Sequence, residues 1–188
     1  EDCFAVNHLS HFLLTQRLLP RLRETPGDRR IVHVSSRLHI EAGSSQWLRN
    51  RAVHAANLLG FALQAQGARM DFEALDREEG YTGMQAYARS KLAQVLFSVE
   101  LARREREVCS YAVHPGAVAT EVGRDQPLLS ALQPLTRLLL KSPEQGAETS
   151  VYAATAPELA GVSGRYYANS REATPAAVAS DPAVAQRL

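Results

Sequence analysis

Tyr87-Ala88-Arg89-Ser90-Lys91 sets a phenol and an ammonium four residues apart, so on a helix both side chains reach the same point outside it. A tyrosine, with a reference pKa of about 10, is a poor acid or base near neutrality. A neighbouring cation favours the phenolate and brings the group toward working pH, so the pair predicts a proton-transfer centre. The same spacing also occurs on exposed helix faces with no role, and its meaning depends on its surroundings. A second place of interest is His114-Pro115-Gly116, where a close turn at a strand end lets backbone approach a ligand or simply turns the chain. His8 and His11, three apart on a helix, have chelating spacing, but no carboxylate or third histidine accompanies them, and core or capping roles are expected rather than a metal site. His33 and His114 read as packed or surface histidines, and Cys109 as a small buried apolar residue.

The elements that must position these groups follow from periodicity. Phe4, Leu9, Phe12, Leu13, Leu14, Leu18, Leu19 and Leu22 recur at helical spacing and predict a helix over residues 4–22, ended by Thr25-Pro26-Gly27. Arg30-Ile31-Val32-His33-Val34-Ser35-Ser36 is short and β-branched, as a buried parallel strand is, and should end at the serines. Residues 83–107 read as a helix with Arg103, Arg104 and Arg106 near its C-terminal end, where cations suit the dipole. Residues 108–113 then form a second strand, stopped by the Pro115-Gly116 turn. Ser142-Pro143-Glu144-Gln145 starts a helix with a capping box that runs to about Thr155. Gly164 to Ala168 fits a third short strand, and Asp181-Pro182 starts a last helix. Alternating helices and strands mean parallel strands joined by right-handed crossovers, an α/β sheet covered on both faces.

The segments Asn7-His8-Leu9, Ile31 to Ser36, Tyr87 to Lys91 and His114-Pro115-Gly116-Ala117-Val118-Ala119-Thr120 occur in the order and settings of the short-chain dehydrogenase/reductase family. The chain resembles that family over nearly its whole length, and especially its retinol dehydrogenase-like branch through Val6 to Thr15 and Ala86 to Phe97. The resemblance implies an oxidoreductase that moves a hydride between NADP or NAD, NADP being favoured, and a small-molecule alcohol or carbonyl of lipophilic, retinoid-like character. By resemblance Tyr87 is the general acid/base, and Lys91 lowers its pKa and bonds the nicotinamide ribose. Ser36 holds the substrate oxygen, with Ser35 as the alternative hydroxyl. Asn7 supports the water chain that feeds Lys91. Pro115, Gly116, Val118 and Thr120 line the cofactor, Thr120 bonding the carboxamide. The same resemblance implies a homo-oligomer paired through the long helices.

Two departures from that family qualify these expectations. None of the 11 glycines lies in a phosphate-binding fingerprint after a strand, so the chain reads as one partial Rossmann-type, doubly wound catalytic domain over residues 1–188 without its N-terminal strands. Reduced cofactor affinity, an unpaired apolar edge at Ile31 to Ser35, and marginal stability or self-association are then expected. The Ser36-to-Tyr87 separation is also longer than the resemblance implies, through an insertion at residues 44–67 read as a surface segment rather than a substrate lid. The alternative to an enzyme is a non-catalytic fragment or pseudoenzyme acting as a dimerisation module.

Composition sets outer bounds. With 21 Lys and Arg against 20 Asp and Glu, the formal charge of +1 supplies no electrostatic reason to expect nucleic acid or anionic membrane as a partner. Two cysteines without CxxC spacing fit a reducing compartment, and a cytoplasmic location is the simplest expectation. No run is long enough for a transmembrane helix, and the opening residues lack a signal-like core, so the chain reads as starting within a longer frame.

Overall fold

The computed structural model describes residues 2–40, 70–74, 83–118 and 141–188. The insertion expected at 44–67 and Thr120 lie outside them. The first helix, α1, covers residues 2–24 in three consecutive pieces: an α-turn Asp2–Phe4, a π-helical turn Ala5–Leu9 and an α-helix Ser10–Glu24. It ends at Thr25, as the Thr-Pro-Gly signal indicates, but starts earlier than the apolar stripe and carries the π-turn, which apolar periodicity does not register. Strand β1 is Arg30–Val34, helix α2 is Gly83–Arg104 and strand β2 is Cys109–His114. Helix α3 is Pro143–Thr155, strand β3 is Arg165–Ala168, strand β4 is Arg171–Glu172 and helix α4 is Pro182–Arg187. The capping box of α3 forms as its sequence predicts: Ser142 Oγ accepts from the Gln145 amide at 3.3 Å and Gln145 Oε1 accepts from the Ser142 amide at 3.0 Å.

The sheet has the order β1-β2-β3-β4, with the first three strands parallel. Side chains alternate across it with period two. Tyr111, Val113, Tyr167, Val32 and Cys109 face α3, where Ala153, Ala156 and Leu159 complete one core. Ala112 and Tyr166 face α2 and pack with Leu92, Val95 and Leu96. Ile31 belongs to the same side, under Leu19, Phe97 and Leu101 from the two long helices. The sheet is thus covered on both faces, as predicted. Cys109 is half-buried rather than buried, since it opens β2 at the sheet's end.

The antiparallel strand β4 departs from the all-parallel expectation. It returns from β3 through Asn169 and Ser170, both at positive φ (52° and 53°), the backbone of a two-residue hairpin usually signalled by glycine. Without the glycine, and with a partner strand of two residues, the pattern gives no warning. The turn is held by Thr149 Oγ1, which accepts from the Ser170 amide at 3.2 Å. At the opposite end of the sheet, the Arg30 guanidinium donates to the Ala153 and Ala156 carbonyls at 3.1 and 2.8 Å, placing a cation on the C-terminal end of α3.

Of the histidines singled out in the sequence, His8 and His33 are packed, His114 is half-buried and His11 is exposed. His8 lies against Phe4 and Phe97, and His33 meets the Phe97 ring edge-on at 5.0 Å, so an aromatic cluster joins α1, β1 and α2. Burial is the largest cause that lowers His8, His33 and His39 to about 4. The folded chain therefore holds them neutral where the unfolded chain, near 6.5, takes up protons. Stability should be complete above pH 6.5 and fall as the pH drops from there toward 4, each pH unit costing at most about 1.4 kcal/mol per histidine. Urea unfolding midpoints at pH 7.5, 6 and 5 should decline in that order; a flat series would contradict the burial of these rings.

Candidate functional site

The sheet delivers its chemistry at the carboxyl ends of β1 and β2. The Ser35 amide still bonds the Val113 carbonyl at 2.8 Å, so Ser35 continues the ladder and points inward, buried. Its hydroxyl donates to the Lys91 carbonyl at 2.7 Å and ties the strand end to α2. Ser36 is one residue past the ladder, half-buried and extended (φ −149°, ψ 153°), and its side chain is near enough to the Tyr87 phenol to favour the ionised form. The choice between the two serines is therefore made by the end of the ladder: Ser35 secures the helix, and Ser36 meets the phenol. Ser36 Oγ also accepts from the Leu38 amide at 3.3 Å, capping the short turn Arg37–His39.

Tyr87 and Lys91 face the same region from α2. Lys91 Nζ lies 5.4 Å from the centre of the Tyr87 ring and donates to the Val34 carbonyl at 3.1 Å. Burial, the largest influence, pushes the Tyr87 phenol up, and the hydrogen bond with Ser36 partly opposes it. Burial likewise lowers Lys91. The Lys91 ammonium stands over the ring face and is bonded to backbone, while Ser36 draws the phenol toward the ionised form.

Asn7 sits in the π-helical turn of α1, and turns of this kind recur at functional sites. Its Nδ2 donates to Ser90 Oγ at 3.0 Å and to Cys3 Sγ at 3.3 Å, and its carbonyl accepts from Gln94 Nε2. Asn7 is thus fixed to the face of α2 between Tyr87 and Lys91 through Ser90, a residue the sequence reading passed over inside the Tyr-x-x-x-Lys span. Ser90 Oγ in turn donates to the Tyr87 carbonyl at 2.7 Å.

Pro115, Gly116 and Val118 follow β2 on the same edge of the sheet. The Arg37 amide donates to His114 Nδ1 at 3.4 Å and joins the serine turn to this one. Gly116 has φ 97°, the conformation that favours glycine, and a Cβ there would fall 2.9 Å from Cδ of the flexible Lys141 side chain, which can shift. Val118 bridges Lys141 and fills the space a side chain on Gly146 of α3 would take, at 2.5 Å from the ideal Cβ position. Lys141 and Gly146 carry no motif signal, yet they set the path of the turn. Among the described residues no group of three or more His, Cys, Asp or Glu side chains is placed to hold a metal.

Comparison with known proteins agrees with this geometry. No family model matches the chain. Human Retinol dehydrogenase 14 is 37% identical over 191 residues, covering 98% of this chain and 49% of that protein. Mouse Retinol dehydrogenase 12 is 36% identical over 190 residues, covering 100% of this chain and 52% of that protein. The WW domain-containing oxidoreductase of Danio rerio is 37% identical, covering 100% of this chain and 42% of that one. The chain spans about half the length of the curated relatives it matches. Among solved structures, an uncharacterised protein from Mycobacterium paratuberculosis superposes with a TM-score of 0.62 at 25% identity, covering 97% of this chain and 54% of that one. A short chain dehydrogenase from Salmonella enterica, at TM-score 0.55 and 18% identity over 88% of this chain and 51% of that one, shares the fold. A strand-end serine on a helical Tyr-x-x-x-Lys pair and sequence identity across nearly the whole chain lead to one conclusion: the stretch spanned here belongs to the short-chain dehydrogenase/reductase family.

Proposed function

We propose that the protein is an NAD(P)-dependent oxidoreductase that interconverts an alcohol and an aldehyde or ketone, with Tyr87 as the acid/base. The observation that carries this reading is Lys91 Nζ, 5.4 Å from the Tyr87 ring centre and bonded to the Val34 carbonyl at 3.1 Å, which brings the pair to the strand end that carries Ser36, with burial favouring the protonated phenol. A protonated phenol is ready to give its proton to a carbonyl oxygen, and Ser36 is placed to hold that oxygen by a second hydrogen bond. For the reverse direction the phenol must lose its proton, and Lys91 aids this by moving its ammonium from the Val34 carbonyl toward the phenol oxygen. Asn7, fixed through Ser90, holds the helix face from which that proton would leave.

The residues present fit the nicotinamide and ribose end of a dinucleotide. Lys91 supplies a half-buried ammonium, and the left-handed Gly116 keeps Cβ atoms away from the strand end where ligands of open α/β sheets bind. Bound nicotinamide would supply or accept the hydride. None of the 11 glycines of this stretch stands in a phosphate-binding sequence fingerprint, so the stretch alone should hold the cofactor weakly. NADP is the preferred form and a lipophilic, retinoid-like compound the preferred substrate, on the strength of relatives that are retinol dehydrogenases.

A second reading, pairing of copies through α1, is supported by Val6, Leu9, Leu13 and Leu14, which stand half or more exposed along that helix. Among the described residues no helix is long and apolar enough to cross a membrane.

Titration with NADPH and NADH, followed by nicotinamide fluorescence, should show weak saturable binding, and no binding at millimolar cofactor would reject the chain as an enzyme by itself. Tyr87→Phe should preserve that binding and lower turnover by about 10²-fold or more, so retained turnover would reject the acid/base assignment. The two serines should separate cleanly. Ser35→Ala should cost about 1 kcal/mol in urea unfolding with turnover nearly kept. Ser36→Ala should cost turnover about 10²-fold with little change in stability, and the reverse pattern would exchange their roles.

A further inference from the structure

Ser36 stands beyond the last rung of the β1 ladder, so its position has to be fixed by something other than the sheet. Its carbonyl accepts from two groups of one residue, the His39 amide at 3.1 Å and His39 Nδ1. His39 is fully buried, and its ring meets Tyr166 edge-on at 4.9 Å. On its far side Nε2 is 3.0 Å from the Ala176 amide. An amide N–H only donates, so Nε2 must carry the lone pair and Nδ1 the proton that goes to the Ser36 carbonyl. The neutral ring thereby has both nitrogens satisfied and one tautomer selected.

Ala176 is itself immobilised. It is buried with Ala179 and Ala185 against Leu92, Val95 and Leu96 of α2, the helix that carries Tyr87. Ser36 is held by His39, His39 by Ala176, and Ala176 packs back on α2, the helix whose Tyr87 phenol Ser36 influences.

We propose that His39 is the positioning residue of the Ser36–Tyr87 pair, setting the serine against the phenol by bridging the Ser36 carbonyl to the Ala176 amide. This rests on the reading of Ser36 and Tyr87 as the catalytic pair. It goes beyond that reading in giving the segment after β4 a part in the geometry of the site, although Ala176 lies 137 residues from His39 in the chain.

The two ring nitrogens can be tested apart, because asparagine places a donor near Nδ1 and glutamine an acceptor near Nε2. His39→Asn keeps the bond to Ser36, and His39→Gln keeps the bond to Ala176. The readout is the phenol of Tyr87, followed by fluorine NMR on chain containing 3-fluorotyrosine, whose lower titration range spares the fold. The Tyr87 resonance is assigned by its loss in Tyr87→Phe. Ser36→Ala sets the full upward displacement of the titration that loss of the serine bond causes.

His39→Gln, which frees the Ser36 carbonyl, should reproduce most of that displacement, and His39→Asn, which opens the bridge at Ala176, should move Tyr87 upward by part of it, even where both variants keep most of their thermal stability. Should His39→Gln fail to fold, Ala176→Pro carries the same test. Ala176 already has φ −55°, a value proline adopts, and the substitution removes the amide from Nε2, so Tyr87 should again move upward. If Ser36→Ala displaces Tyr87 while His39→Gln and Ala176→Pro do not, His39 is merely packed and the proposal falls alone. If Ser36→Ala itself leaves Tyr87 unmoved, the catalytic pairing falls and takes the proposal with it.

Discussion

Two consecutive serines at the end of β1 hold the site together. Ser35 is the last residue whose amide belongs to the ladder, and its hydroxyl binds the backbone of α2 at Lys91; Ser36, one peptide further, acts on the Tyr87 phenol of the same helix. A helix resting on a sheet through apolar contacts alone can slide by fractions of an ångström as side chains repack. Directional bonds at the strand end, from the Ser35 hydroxyl to the Lys91 carbonyl and from Lys91 Nζ to the Val34 carbonyl, remove that freedom where proton transfer needs it. The apolar layers of Leu92, Val95 and Leu96 supply the bulk of the docking, and the serines supply its register.

That arrangement separates what could be read from the residues from what could not. Strand and helix types, the α3 capping box and the two covered sheet faces follow from periodicity and local chemistry, which act over a few residues. Tyr87 and Lys91 were identifiable because four residues on a helix fix a shared direction. The choice between Ser35 and Ser36 was not, since alternation along a strand says which side chains are opposed but not where the hydrogen-bonded ladder stops. The state of Lys91 was equally hidden. Spacing places the ammonium near the ring, but only the fold shows the Val34 carbonyl competing for it.

Long-range partners are the other class of omission. His39 looks like one polar residue in a short loop, and its significance comes from an amide far along the chain. Lys141 and Gly146 likewise act on the Pro115-Gly116 turn through packing that no local motif encodes. The β3–β4 hairpin escaped notice because its turn residues, Asn169 and Ser170, take a backbone conformation that the sequence usually advertises with glycine.

Strand β1 gives the molecule a direction as well as a boundary. Among the described residues it bonds to β2 on one side only, and Val34 is 47% exposed. A run of unshared peptide groups is a template with polarity: a segment laid along it in the parallel sense would bring its own carboxyl-terminal loop beside Ser36 and Pro115. Whatever occupies that margin becomes a neighbour of the proton-transfer centre, so extending the sheet and completing the ligand pocket would be one structural event.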